Sequence, residues 1–191
     1  MNHTTAPFAR AVPSPVIVNP QSGDQLLVLV SGEGDGPTRL RFTLPPASPG
    51  TPLHRHPSLE ETFTVNAGRL RVAVGDANAW RDLRPGESVR IAPGFLHRFW
   101  NPHAEPVTFE AEVTPGRDFE RFIRAHYGLA RAGLAGAGGM PRNPLQIAVM
   151  LRWADFQVPG VPGWLQRALI GGLARLARMT GDEQLLRRHA A

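Results

Sequence analysis

Over residues 16–113 the hydrophobic positions come in short runs, many of them alternating with polar ones. In residues 69–75, Leu70, Val72 and Val74 alternate with Arg71 and Ala73. In residues 107–113, Val107, Phe109, Ala111 and Val113 alternate with Thr108, Glu110 and Glu112. Successive side chains on a strand point to opposite faces, so each segment reads as a strand with one face in a core. The same pattern predicts strands over 16–18, 25–31, 38–44, 61–66, 69–75, 88–92, 96–100 and 106–113. They are separated by Gly/Pro/Asp-rich breakers at 31–37, 45–52, 67–68, 75–78 and 84–87. The period changes after Thr114-Pro115-Gly116. Phe119, Phe122, Ile123 and Tyr127 then recur at helical spacing, with Glu120, Arg121 and Arg124 off that stripe. Residues 133–139 (GLAGAGG) read as a connector. Asn143-Pro144 offers a cap and a first-turn proline for a helix bearing Leu145, Ala148, Val149 and Trp153. A third helix from about Trp164 places Leu165, Leu169, Leu173 and Leu176 on one face, and Gly181 ends it. The expected architecture is mainly β: a flexible segment over 1–15, a β-barrel or sandwich over 16–116, and a helical C-terminal extension over 117–191.

Composition narrows the chemistry. The chain of 191 residues has no cysteine, which excludes disulfides, a thiolate nucleophile and Cys-based metal sites. All 21 basic side chains are arginine, so a Schiff-base lysine and a Lys-bearing phosphate loop are excluded as well. The abundance of Ala, Gly and Pro points to a GC-rich, bacterial genome. Charge is uneven: residues 1–116 hold 10 Arg against 11 acids, whereas residues 117–191 hold 11 Arg against 5. The basic character therefore belongs to the tail, and nothing in the first part calls for a polyanionic ligand. Nucleic-acid binding has no support beyond charge. Peripheral contact of the Arg-rich helices with an anionic membrane is one reading of the tail; packing of their apolar stripes on the barrel or on a second subunit is the preferred one. The start lacks a signal-peptide apolar stretch, and residues 145–151 are too few to span a bilayer, so a cytoplasmic location is expected.

Two segments carry the chemistry: residues 50–68 (GTPLHRHPSLEETFTVNAG) and 86–101 (GESVRIAPGFLHRFWN). His54 and His56, two apart, share a face of an extended segment. Glu61 follows a Pro57-Ser58 turn, and a hairpin-like return would bring it opposite the pair. His97 begins a strand after the Pro93-Gly94 turn. Three imidazoles and a carboxylate converging inside an apolar barrel would be costly to bury unless a divalent cation joined them. Nitrogen and oxygen donors without sulfur suit Fe, Mn, Ni, Co, Cu or Zn, and four donors leave room on the ion for a substrate oxygen, water or dioxygen.

These segments resemble the paired motifs of the cupin superfamily, in particular small single-barrel, quercetinase-like members. The first motif is matched by Gly50, His54, His56, Glu61 and Gly68, and the second by Gly86, Gly94, His97 and Asn101. Gly50 stands closer to His54 than usual, and Ala92 replaces an expected proline, with Pro93 one place later. The resemblance covers about residues 16–115. It implies a jelly-roll barrel, His54, His56, Glu61 and His97 as metal ligands, and a homodimer.

Other candidates have simpler readings. Glu60 as ligand would turn Phe63 and Val65 away from the ligand face. His103, His3 and His189 read as solvated, and His126 as a packing residue on the first helix. Phe42, Phe63, Phe95, Phe99 and Phe109 read as core or as walls of an aromatic pocket. Arg41, Arg69, Arg71 and Arg90 read as solvated, and Trp80 and Trp100 as cover for apolar surface or an interface. The expected function is that of a metal-dependent enzyme, such as a dioxygenase acting on a small enol or phenol-type (aromatic or polyketide-like) substrate, with Glu61 as proton shuttle. A redox-inactive isomerase or cyclase, and a non-catalytic small-molecule-binding module, are the alternatives.

Overall fold

A computed structural model describes residues 15–32, 35–136 and 139–190. Nine strands are followed by four helices: β1 (Ile17–Val18), β2 (Gln25–Val30), β3 (Thr38–Leu44), β4 (Glu60–Ala67), β5 (Leu70–Val74), β6 (Trp80–Leu83), β7 (Ser88–Ile91), β8 (His97–Trp100), β9 (Val107–Thr114), α1 (Arg117–Arg131), α2 (Pro144–Trp153), α3 (Gly163–Thr180) and α4 (Asp182–His189). A six-stranded sheet in the order β1-β2-β3-β9-β4-β7 faces a three-stranded sheet in the order β6-β5-β8, every pairing being antiparallel. This is a jelly-roll β-sandwich with a helical extension, the fold class expected.

The alternation in β3, β4 and β9 fixes which residues fill the barrel. Their register sets Phe42 beside Phe109, Phe63 beside Ala111 and Val65 beside Phe109, all buried. Phe99 of the opposite sheet closes the layer, 5.3 Å from Phe63 and 5.1 Å from Phe109 between ring centroids. Aromatic burial of this kind dominates core energetics. Glu61 occupies the same inward row as Phe63 and Val65, so a carboxylate stands where the pattern otherwise places hydrocarbon.

Strand β6 is not among the strands that the hydrophobic pattern predicts. WRDL shows no apolar alternation; its pairing with β5 is reinforced by Arg71, which binds Asp82 at 2.7 Å and lies over Trp80 at 3.7 Å. Arg71 is thus a paired residue, while Arg69 and Arg90 are exposed as expected. Helix α4 was also missed. It is short, with Leu186 its single buried residue, and it starts where Gly181 (φ 85°) ends α3.

Helix α1 buries Phe119, Ile123 and Tyr127 against the barrel. Glu120, expected off the buried stripe, is itself buried. Its carboxylate accepts hydrogen bonds from Ser31 Oγ (2.7 Å), Thr38 Oγ1 (2.9 Å) and Arg124 Nε (2.8 Å), pinning α1 to the barrel. Gly128 allows α1 to meet the end of α4, since a Cβ there would lie 2.1 Å from the His189 carbonyl oxygen. Asn143 caps α2 as the sequence predicts, accepting from Leu145 N at 2.9 Å.

Of the two covers expected for the apolar stripe of α3, the barrel and a second subunit, the barrel does not supply one. The buried residues of α3 are Gln166, Ala174 and Ala177, and the stripe of Leu169, Leu173 and Leu176 faces outward instead of onto the barrel. Small residues let α3 approach its neighbours closely, and that requirement sets the helix rotation. Residues 1–14 of the expected N-terminal segment, with His3, and residues 33–34 and 137–138 of the expected connectors lie outside the described residues.

Candidate metal centre

Two backbone devices bring the site together. His54 and His97 pair as an isolated bridge, His54 N donating to the His97 carbonyl (3.0 Å) and His97 N to the His54 carbonyl (2.7 Å). Gly94, at φ 84°, donates its N–H to the His56 carbonyl at 2.8 Å, tying the turn before β8 to the histidine segment. Gly50 permits the closest approach. At φ 62° it lies so near β8 that a Cβ would sit 1.8 Å from the Phe99 carbonyl oxygen. Asn101, fully buried, donates to the Pro45 and Glu105 carbonyls at 2.9 Å each, holding the loops that flank the segment.

The result is a compact cluster. His54, His56, Glu61 and His97 are all buried, and one potential ligand atom from each lies within 4.8 Å of the others. The outward nitrogen of every ring is already engaged: His54 Nδ1 with the Pro52 carbonyl (2.7 Å), His56 Nδ1 with the Ala154 carbonyl (2.7 Å) and His97 Nδ1 with the Phe95 carbonyl (3.0 Å). A carbonyl can only accept, so each Nδ1 carries the proton and each Nε2 presents a bare lone pair in the neutral ring. Two such lone pairs, on His54 and His56, face each other at 3.1 Å. Glu61 Oε2 lies 2.7 Å from His97 Nε2 and 3.5 Å from His56 Nε2, yet neither Glu61 Oε2 nor His97 Nε2 finds a well-directed hydrogen bond. Acceptor crowded on acceptor in a buried space is unfavourable until a cation sits among them. The donor set therefore fits a divalent transition metal, with each ring already oriented by a carbonyl partner.

Protonation follows the same geometry. Burial, reinforced by the neighbouring rings of His97 and His56, lowers the pKa of His54 to about 3. Burial works against ionisation of Glu61, but the imidazoles of His56 and His97 outweigh it and hold the carboxyl below its ordinary value. For His97 burial opposes protonation, and the adjacent Glu61 carboxylate reverses the balance, raising its pKa.

The cluster forms one end of a cavity of about 310 Å³, at the lower end of the roughly 300–1,000 Å³ typical of small-molecule sites. Phe42 and Phe63 of one sheet, Phe99 of the other, and Phe119, Phe122 and Phe156 from the tail wall it. Phe95 does not; it is 55 % exposed, in the turn before β8. Phe109 packs beneath the cavity as core.

The tail contributes more than the sequence foretold. Residues 154–157 are clipped to the histidine segment: Arg55 and Gln157 exchange backbone hydrogen bonds at 3.0 Å, and Asp155 accepts from Ser58 N and Ser58 Oγ at 2.6 Å each. Phe156 stacks on His54, with centroids 4.5 Å apart and planes at 10°. His126 and Tyr127 also line the cavity, and buried His126 Nδ1 has no partner. His126 is thus a cavity residue, where the sequence suggested simple packing. His103 and His189 are half-buried rather than solvated, His103 Nε2 lying 3.5 Å from Asp82. Glu60 turns away from the cluster to pair with Arg90 at 2.6 Å.

A double-sheet jelly roll enclosing a three-histidine, one-glutamate cluster defines a barrel protein with a candidate metal centre. Residues 40–114, which include all four cluster residues, match the cupin domain family. Similar solved structures include KdgF from Halomonas sp. (20 % identity, 51 % of this chain and 84 % of that chain, TM-score 0.44). Others are the cupin domain of an XRE family transcriptional regulator from Enterobacter cloacae (23 %, 47 % and 94 %, 0.38) and a sugar phosphate isomerase of the cupin superfamily from Silicibacter pomeroyi (24 %, 53 % and 66 %, 0.41). No curated protein matches the chain in sequence.

Proposed function

We propose that this chain is a metal-dependent enzyme, in the first instance a dioxygenase, whose substrate is a small molecule with an apolar body and an enol, phenol or hydroxy-ketone oxygen. The observation that carries the reading is the convergence of three imidazoles and the Glu61 carboxylate at one end of a cavity walled by phenylalanine. His54, His56, His97 and Glu61 would hold the ion. When bound, it would supply a Lewis-acid position for the substrate oxygen and, if redox-active, a route for electrons to dioxygen. The chain's own residues do the rest. Phe42, Phe63, Phe99 and Phe119 take the apolar body of the substrate and exclude water. Glu61 Oε2, the carboxylate oxygen nearest the rings, accepts the proton lost by the substrate hydroxyl. The carbonyls of Pro52, Ala154 and Phe95 keep the three rings turned inward throughout.

The test begins with the metal content of protein purified without added metal, followed by oxygen uptake with a flavonol and with a dihydroxyphenyl substrate. Iron, manganese, nickel or copper with substrate-dependent oxygen consumption, lost in H97A, supports the dioxygenase. Zinc with turnover but no oxygen uptake replaces it with an isomerase or cyclase. Unchanged small-molecule binding in H54A and H97A, with no turnover, overturns both in favour of a binding module.

A further inference from the structure

Helix α3 presents an apolar face that nothing within the described chain covers. At 3.6 residues per turn, Leu165, Leu169, Gly172, Leu176 and Met179 fall in one arc, on the side of the helix away from buried Gln166, Ala174 and Ala177. Trp164 is 67 % exposed, Leu169 58 %, Leu176 45 % and Met179 77 %. The face continues into the preceding loop through exposed Val158 and Val161. No acidic residue occurs between Asp155 and Asp182, while Arg167, Arg175 and Arg178 lie in that stretch. Among the described residues Arg167 and Arg175 make no ion pair, and Arg178 reaches Glu183 only at 3.9 Å.

We infer that α3 and the Val158–Val161 loop dock on an anionic lipid surface, with the Leu/Met arc in the acyl boundary and the arginines at the headgroups. Charge decides between occupants. A second copy meeting this face about a two-fold axis would bring arginines against arginines with no acid on either helix to pair them, whereas an anionic bilayer neutralises them. An amphipathic helix with leucines and a methionine on one side, an exposed tryptophan at its start and only arginines as charged residues has the composition of an interfacial helix. Among the described residues no helix is long and apolar enough to cross a membrane, so the contact is peripheral.

The experiment is co-sedimentation of the full chain with vesicles of pure phosphatidylcholine and of phosphatidylcholine with an equal part of phosphatidylglycerol. Three arginines near such a surface predict binding on the order of a hundredfold tighter to the anionic vesicles, weakening as salt is raised. A blue shift of tryptophan emission should accompany binding and be absent in W164F. L169E/L176E should abolish binding while keeping the wild-type circular dichroism and melting curve, because both leucines are exposed. R167Q/R175Q should lose most of the preference for anionic lipid. Equal affinity for both vesicles, no binding to either, or binding unaltered by L169E/L176E overturns the inference. A solution dimer that L169E/L176E splits also overturns it, by assigning the face to a second copy. So does saturable binding of an acidic polypeptide such as polyglutamate without binding to anionic vesicles.

Discussion

The clip between tail and barrel makes a quantitative prediction, probed by replacing Asp155 and Phe156 together with alanine. Asp155 sits at φ 47°, a conformation costly for alanine by roughly 1–2 kcal/mol. Its carboxylate holds Ser58 through two hydrogen bonds on the exposed rim, worth about 1 kcal/mol each. Phe156 contributes its stack on His54, about 0.5–1.5 kcal/mol beyond area. Loosening this segment frees the Ala154 carbonyl from His56 Nδ1. Carbonyl or carboxylate partners of metal-bound histidines are worth about 10- to 100-fold in metal affinity, or about 1.4–2.8 kcal/mol. The Kd of chelator-stripped D155A/F156A for zinc or nickel, measured by competition with a chromophoric chelator, should rise by that factor. The variant should retain its far-ultraviolet circular dichroism, and R84A, in an exposed turn on the barrel, serves as control. A folded D155A/F156A that binds the ion within about twofold of wild type would refute the claim that the tail orients the rings.

Other outcomes follow from the same geometry. His54 has a pKa near 3 in the folded protein against 6.5 ordinarily, so below 6.5 the unfolded chain binds a proton that the folded protein refuses. Its stabilising contribution is complete above pH 6.5 and is lost as the pH falls towards 3. Melting curves of metal-stripped protein should therefore show an acid decline that H54N flattens; identical declines would contradict this. F109A removes a fully buried ring packed on Phe42, Phe63 and Phe99. It should cost about 3–5 kcal/mol in denaturant unfolding, and a loss below 1 kcal/mol would mean the layer is not closely packed. Deleting residues 117–191 strips Phe119, Ile123 and Tyr127 from the core; the remaining barrel should aggregate and lose its ion. A soluble fragment with wild-type metal affinity would refute the tail's role.

The strands that alternate strictly were legible because a period of two has one solution beside a single core, and β9 shows it. His54, His56 and His97 were legible because their spacing and flanking turns put them on inward faces. Strand β6 was not, since WRDL is held by backbone pairing and by Arg71, neither of which leaves an apolar period. Which side of α3 packs on this chain was not legible for a related reason: periodicity announces a stripe but not whether small residues elsewhere on the helix will pack more closely. The tail's share in the site was hidden because its key atom, the Ala154 carbonyl oxygen, is main chain and has no sequence signature. His126 could have been suspected from its place one residue before buried Tyr127, but helical spacing alone does not separate a cavity wall from a packed core.

The hydrogen bond from His56 to the Ala154 carbonyl also has a thermodynamic corollary. Coupling between two events is reciprocal, so if an ordered tail raises the affinity of the barrel for an ion, the ion must stabilise the ordered tail by the same free energy. Hydrogen exchange at the backbone amides of residues 154–157 should slow when the ion is added, although none of those residues is among the four that would hold it. An agent that pulls on the helices would, by the same identity, loosen the ion's hold several bonds away.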